Sequence, residues 1–93
     1  MSLRTRAIYW RGEAYYRLAR FDMARDDYEV FLSLPGSMLL DEAKLIHYNL
    51  GSSLFNLQDY SNALINLKSF EAEAKNVKPE ILSDAKNRIA DCY

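Results

Sequence analysis

The chain of 93 residues has one cysteine, one histidine, two prolines and three glycines, and each scarcity excludes something. A lone cysteine, Cys92, closes no internal disulfide, and together with His47 alone it builds no Cys/His metal cage. No apolar run approaches the ~20 residues that a membrane span needs, and no signal peptide is recognisable. Neither sign of charge prevails. Twelve basic and thirteen acidic residues are interleaved, for a net charge of −1, so there is no basic tract for nucleic acid and no acidic tail. Phosphate-binding glycine loops, G-x-S-x-G and H-E-x-x-H are all missing. No stretch alternates with period two for long enough to make a strand. What is left is a chain with no enzyme signature and no cofactor motif.

What is present is hydrophobic and helical. The sequence is 49% hydrophobic and 27% charged, a globular composition for at most one small domain of modest stability. Shifted by 39 residues, it lands on itself. Gly12, Gly51 and Ala90 coincide, as do Ala14, Ser53 and Cys92, and Tyr15, Leu54 and Tyr93. Leu18 meets Leu57, Phe21 meets Tyr60, Ala24 meets Ala63, Tyr28 meets Leu67 and Phe31 meets Phe70. Small residues fall on small and large apolar residues on large.

Each unit reads as two helices. Ile8, Tyr15 and Leu18 with Gly12 keep the spacing of one helix face, and Phe21, Ala24, Tyr28, Phe31 and Leu32 keep that of the next. Ala19-Arg20 makes the corner between them, and Pro35-Gly36 ends the second helix. In the next unit the first helix is expected from about Leu40 to Leu57. Asp59 caps the helix that carries Tyr60, Ala63, Leu64, Leu67 and Phe70. Pro79 opens a fifth helix with Leu82, Ile89, Ala90 and Tyr93. The glycines and alanines mark where paired helices approach closely, with aromatic side chains filling the space around them. One hairpin cannot bury its apolar face alone and stacks on the next. The expectation is an all-α chain of five helices in tandem antiparallel hairpins, an α-solenoid of about two and a half repeats. Their spans are about 5–36, 39–75 and a partial 79–93, in a chain that continues past Tyr93 in its parent.

These residues resemble the tetratricopeptide repeat, whose pattern runs W-x2-L-G-x2-Y, then A-x3-F, then P. The first unit has Gly12-x2-Tyr15, Ala24-x3-Tyr28 and Pro35. The second has Leu50-Gly51-x2-Leu54 and Ala63-x3-Leu67, and the third Ile89-Ala90-x2-Tyr93. The Trp position of the pattern holds Ile8, His47 and Lys86, and the period exceeds the usual ~34 residues. Long periods of this kind are similar to those of tetratricopeptide proteins of the bacterial cell envelope. That likeness points to the periplasm or envelope, with the cytoplasm as the alternative.

The resemblance implies a concave surface lined by the first helices of successive units. Its ligand-facing positions fall on Arg6, Tyr9, Glu13, Tyr16 and Arg17, then on Leu45, Tyr48, Ser52, Phe55 and Asn56, then on Asp84, Asn87 and Asp91. Tyrosine and arginine are enriched at binding hot spots, although the same aromatics could pack between hairpins. Some members of the family clamp a peptide's terminal carboxylate. The corresponding positions here hold Tyr9, Glu13, Asn49, Asp84 and Arg88, and the two carboxylates would repel such a ligand. His47 has no Cys, Asp or Glu at helical spacing and reads as structural. Cys92, aligned with Ala14 and Ser53, reads as a buried small residue. The acidic residues, Asp22, Asp26, Asp27 and Glu29 among them, read as solvated helix faces with i, i+4 partners. Asp26 and Asp27 point about 100° apart on a helix and form no dyad.

The resemblance therefore implies a non-enzymatic protein-binding module that takes a helix or extended segment of a partner protein in its groove. No nucleic acid, membrane insertion, metal or cofactor is expected. The alternative is a structural spacer, or a segment that self-associates through its exposed ends.

Overall fold

The structure, a computed structural model, describes residues 3–37 and 43–93. Among them are five α-helices and no strand: α1 (Leu3–Arg17), α2 (Phe21–Ser33), α3 (Ile46–Asn56), α4 (Tyr60–Glu73) and α5 (Pro79–Cys92). Helices α1 and α2 form one antiparallel hairpin and α3 and α4 a second. Helix α3 packs back on α2, and α5 packs on α4 and, over a smaller area, on α3. The fold is all-α, in tandem helical hairpins.

Both hairpin corners are built alike. Ala19 and Gln58 adopt left-handed backbone conformations, φ 58° and 66°. In the first corner the Arg20 amide donates to the Tyr15 carbonyl (2.8 Å) and the Ala19 amide to the Tyr16 carbonyl (3.0 Å). In the second, Asp59 donates to Leu54 (2.9 Å) and Gln58 to Phe55 (3.0 Å). This paired closure satisfies the carbonyls that a helix end leaves open. Asp59 then caps α4, its carboxylate accepting from the Asn62 amide, whereas Arg20 provides no side-chain cap for α2. Pro79 stands in the first turn of α5, where its missing N–H has no intrahelical role.

The helices of each hairpin meet at a glycine. A Cβ on Gly12 would stand 3.1 Å from the Tyr28 ring, and one on Gly51 would stand 2.7 Å from Leu67 Cγ. One core cluster, around Tyr9, Ala24, Tyr28, Phe31, Ile46, Leu50, Leu54 and Ala63, spans both hairpins. A smaller one, around Leu67, Phe70 and Ala85, seats α5.

Three expectations are corrected here. Helix α3 begins at Ile46 rather than near Leu40. Residues 43–45 form a turn that seats Ala43 in the core, and 40–42 lie outside the described residues. Leu18 is 69% exposed. The other residues of the expected face lie on the core side: Gly12 is buried and Ile8 and Tyr15 pack against the core, with Thr5 and Tyr9 buried beside them. Asp27 is not solvated. It is buried on α2 and takes both nitrogens of the Arg11 fork, Nε to Oδ2 at 2.8 Å and Nη2 to Oδ1 at 2.7 Å. A buried carboxylate needs such a partner.

Candidate functional site

Hydrogen bonds tie α1, α3 and α5 into one face. On α1, Glu13 Oε1 accepts from the Tyr28 hydroxyl of α2 (2.6 Å) and from Asn49 Nδ2 of α3 (2.7 Å). On α5, Asp84 Oδ2 accepts from the Tyr48 hydroxyl of α3 (2.5 Å) and from Arg88 Nε (2.7 Å). These bonds change how the titrating groups behave. Burial, reinforced by the bond to Glu13, pushes the Tyr28 hydroxyl far up. Burial and the bond to Asp84 do the same for Tyr48. For Asp84, burial alone would raise the carboxyl, but the Tyr48 and Arg88 hydrogen bonds outweigh it and hold it below its usual value.

Two aromatic pairs, one at each hairpin corner, are the rungs of an aromatic ladder, joining α1 to α2 and α3 to α4. Tyr16 meets Phe21 edge to face at a centroid distance of 5.9 Å, and Phe55 meets Tyr60 at 5.4 Å. The two pairs occupy matching places at the two corners. The Arg88 guanidinium lies 5.4 Å from the centre of the Phe55 ring, a cation–π distance. Tyr16 and Phe55 are half-buried, and Tyr60 is exposed.

The expected groove residues divide into three groups. Tyr9 and Ser52 are interior. Tyr9 is 3% exposed, its ring 5.3 Å from that of Phe31, and Ser52 is fully buried in α3. Neither offers a partner any surface, because each is already spent on contact between helices. Glu13, Tyr48 and Asp84 are half-buried and engaged in the network described above, and Leu45 packs at the α5 end of the core. Arg6, Arg17, Asn56, Asn87 and Asp91 are exposed, with Tyr16 and Phe55 half-open beside them. Arg88, raised in the sequence only as one position of a carboxylate clamp, is the cation that joins the network to the ladder. Its i, i+4 spacing from Asp84 was the available signal.

The remaining candidates are structural in geometry. His47 Nδ1 lies 3.2 Å from Asn66 Oδ1, a contact between α3 and α4. Cys92 is half-buried between the two core clusters rather than fully enclosed. Burial and the neighbouring Asp91 charge push its thiol up, which suppresses the thiolate that a reactive cysteine requires. No helix among the described residues is long and apolar enough to cross a membrane.

A corner closed on a left-handed residue, a glycine beneath the facing helix and a first helix bonded to its counterpart in the next hairpin describe a helical repeat. Residues 6–37 match the family model described as tetratricopeptide repeat. The first hairpin is similar to a tetratricopeptide repeat. No curated protein and no solved structure matches the chain. Tetratricopeptide repeats are in general modules for protein–protein interaction, and the match suggests such a module here.

Proposed function

We propose that the face formed by α1, α3 and α5 receives a helix or extended segment of a partner protein along the aromatic ladder. The observation that carries this reading is the ladder itself: Tyr16 and Phe55 half-open, Arg88 over Phe55, and exposed Arg17 and Asn56 alongside. Rigid aromatic anchors flanked by polar groups are the composition of binding hot spots. The helices beneath are locked to one another by the Glu13 and Asp84 networks, so the face is presented without a large ordering cost. Asn87 and Asp91 extend it along α5, and Arg6 along α1.

The test is capture from the source organism's lysate with the wild-type chain and an Arg17→Glu/Asn56→Asp/Asn87→Asp variant. All three positions are exposed, so the variant should keep its helicity and melting behaviour. A partner held by the wild type and lost by the folded variant supports the groove. If both retain the same proteins, or neither retains any, the groove reading fails.

A second reading, a structural segment that assembles through its ends, is favoured by large apolar side chains open on the first hairpin. Leu3 is 87% exposed and Trp10 50%.

A further inference from the structure

Helix α3 buries a face that α1 leaves open. Ala43, just before α3, and Ile46, Leu50 and Ser53 within it are all at most 3% exposed. The residues 39 positions earlier are Arg4, Ala7, Arg11 and Ala14, and all four are exposed. The open face continues across the groove between α1 and α2. One hollow there is lined by Arg4, Ala7, Ile8, Arg11 and Val30, and the next by Arg11, Tyr15, Met23, Asp26 and Asp27. The surface carries charge of opposite sign on its two halves. On this surface α1 presents Arg4 and Arg11, whereas α2 presents Asp26, which Arg25 Nε meets at 3.1 Å, and the buried Asp27, which Arg11 holds.

A face that is basic on one side and acidic on the other can complement itself. We propose that it binds a second copy of the chain about a two-fold axis parallel to the helices, so that α1 of each copy lies on α2 of the other. A C2 contact uses the same patch on both sides. This axis keeps each residue at its own height along the helices. Ala7 then meets the partner's Val30, Ala14 and Leu18 meet the partner's Met23, and Arg11 meets the partner's Asp26. Arg11 gives Nε and one Nη2 hydrogen to its own Asp27 and keeps its Nη1 hydrogens for a second carboxylate. The other two-fold, across the helices, would lay α1 on α1 and set arginines against arginines, an arrangement that like-charge repulsion disfavours. The proposal develops the reading of assembly through the chain's ends and does not depend on the groove, which lies on another face.

The experiment is sedimentation velocity of the full chain across the micromolar range, at low and high salt. The wild type should form a dimer that weakens as salt screens the charge pairs. Asp26→Arg and Val30→Glu, both at exposed positions, should each weaken the dimer by roughly tenfold or more while leaving the melt intact. Ile65→Glu, on an exposed apolar residue of α4, should leave association unchanged. The groove variant described above should dimerise like the wild type, which separates failure of the groove reading from failure of this one. A monomer throughout the range overturns the proposal, as does a dimer that survives both α2 substitutions. Arg4→Glu should loosen the dimer, and tightening would instead indicate α1 on α1 and overturn the arrangement.

Discussion

In the first hairpin the closest approach is Gly12 beneath the Tyr28 ring, flanked by the Arg11–Asp27 fork and the Tyr28–Glu13 hydrogen bond. In the second it is Gly51 beneath the Leu67 side chain, and the positions that match Arg11, Glu13 and Asp27 hold Leu50, Ser52 and Asn66. The geometry is shared and the chemistry is not. Where the glycine faces a tyrosine, the hydroxyl extends past the contact and must find an acceptor, so a carboxylate follows. Where it faces a leucine, the contact closes further and no polar partner is needed. One glycine contact can therefore be ringed by charged hydrogen bonds or closed mainly by packing, with the neutral His47–Asn66 contact beside it, and the two should fail differently when disturbed.

The sharpest way to break the comparison is to add a methyl group at each glycine. In Gly51→Ala the new Cβ would stand 2.7 Å from Leu67 Cγ, a distance that forces the buried leucine to move. We expect a loss of about 2 kcal/mol, in the range typical of overpacked cores. In Gly12→Ala the nearest atoms are the Tyr28 ring at 3.1 Å and Asp27 Cβ at 3.2 Å. A shift of a few tenths of an ångström relieves those contacts, and alanine recovers about 1 kcal/mol of helix propensity, so the net change should stay within about 1 kcal/mol. Urea denaturation of both variants checks this, and a larger loss at Gly12 would refute the ordering. Adding Leu67→Ala to Gly51→Ala should be markedly less than additive, because it removes the atom that clashes.

Removing the polar partner is the converse test. Tyr28→Phe keeps the ring over Gly12 and deletes the hydroxyl that donates to Glu13. Hydrogen bonds to charged groups are among the stronger ones, and the expected loss is about 1–2 kcal/mol. Helix α1 should also be loosened from α2, visible as faster hydrogen exchange around Glu13. Stability unchanged by this substitution would mean that the Tyr28–Glu13 bond adds nothing to the packing at Gly12.

Local chemistry was legible in the sequence and pairing across space was not. The corners at Ala19-Arg20, the Asp59 cap, Pro79 at the start of α5 and the glycine contacts all rest on neighbouring residues or on the internal match, and the structure has each of them. The burial of Tyr9 and Asp27 depends on what lies across the hairpin, which a helical wheel does not reveal. Arg11 flanks Gly12 much as Asp27 flanks Tyr28, so the ion pair was inferable once the glycine contact had been placed. The Glu13–Asn49 and Tyr48–Asp84 bonds, each joining residues 36 positions apart, need the stacking of successive hairpins to be known first. The groove was legible only as a set of positions, since its polar members turn inward or outward according to those bonds.

Ser52 sharpens the comparison from the packed side. It occupies the place of Glu13, but Leu67 brings no hydroxyl to meet it, and its Oγ is buried without a hydrogen-bond partner among the described residues. A buried, unpaired hydroxyl costs stability. Ser52→Ala should therefore be neutral or stabilising, by up to about 1 kcal/mol, with alanine also the better helix former. Calorimetric melts should show a midpoint at or above that of the wild type, and a fall would require a bond that this geometry does not contain.

The smallest effect concerns acid, and it separates the joint at α5 from the joint at α1. Asp84 is held below its usual carboxyl value by the Tyr48 and Arg88 hydrogen bonds, which outweigh its burial. A carboxylate stabilised in the folded chain adds stability above its unfolded value of about 4 and loses it as the pH falls through the lower folded value. The attachment of α5 to α3 should thus weaken below about pH 4, with a slope that Asp84→Asn flattens. The asparagine variant should be less stable than the wild type at neutral pH, and the two should converge in strong acid. Because α5 reaches α3 over a smaller area than it reaches α4, the loss should appear as early fraying of α5 rather than as global unfolding. Hydrogen exchange on α5 against pH measures it directly. If wild type and Asp84→Asn lose protection in parallel as the pH falls, the Tyr48–Asp84–Arg88 cluster does not hold the joint, and the apolar contacts of Ala85 and Ile89 carry α5 by themselves.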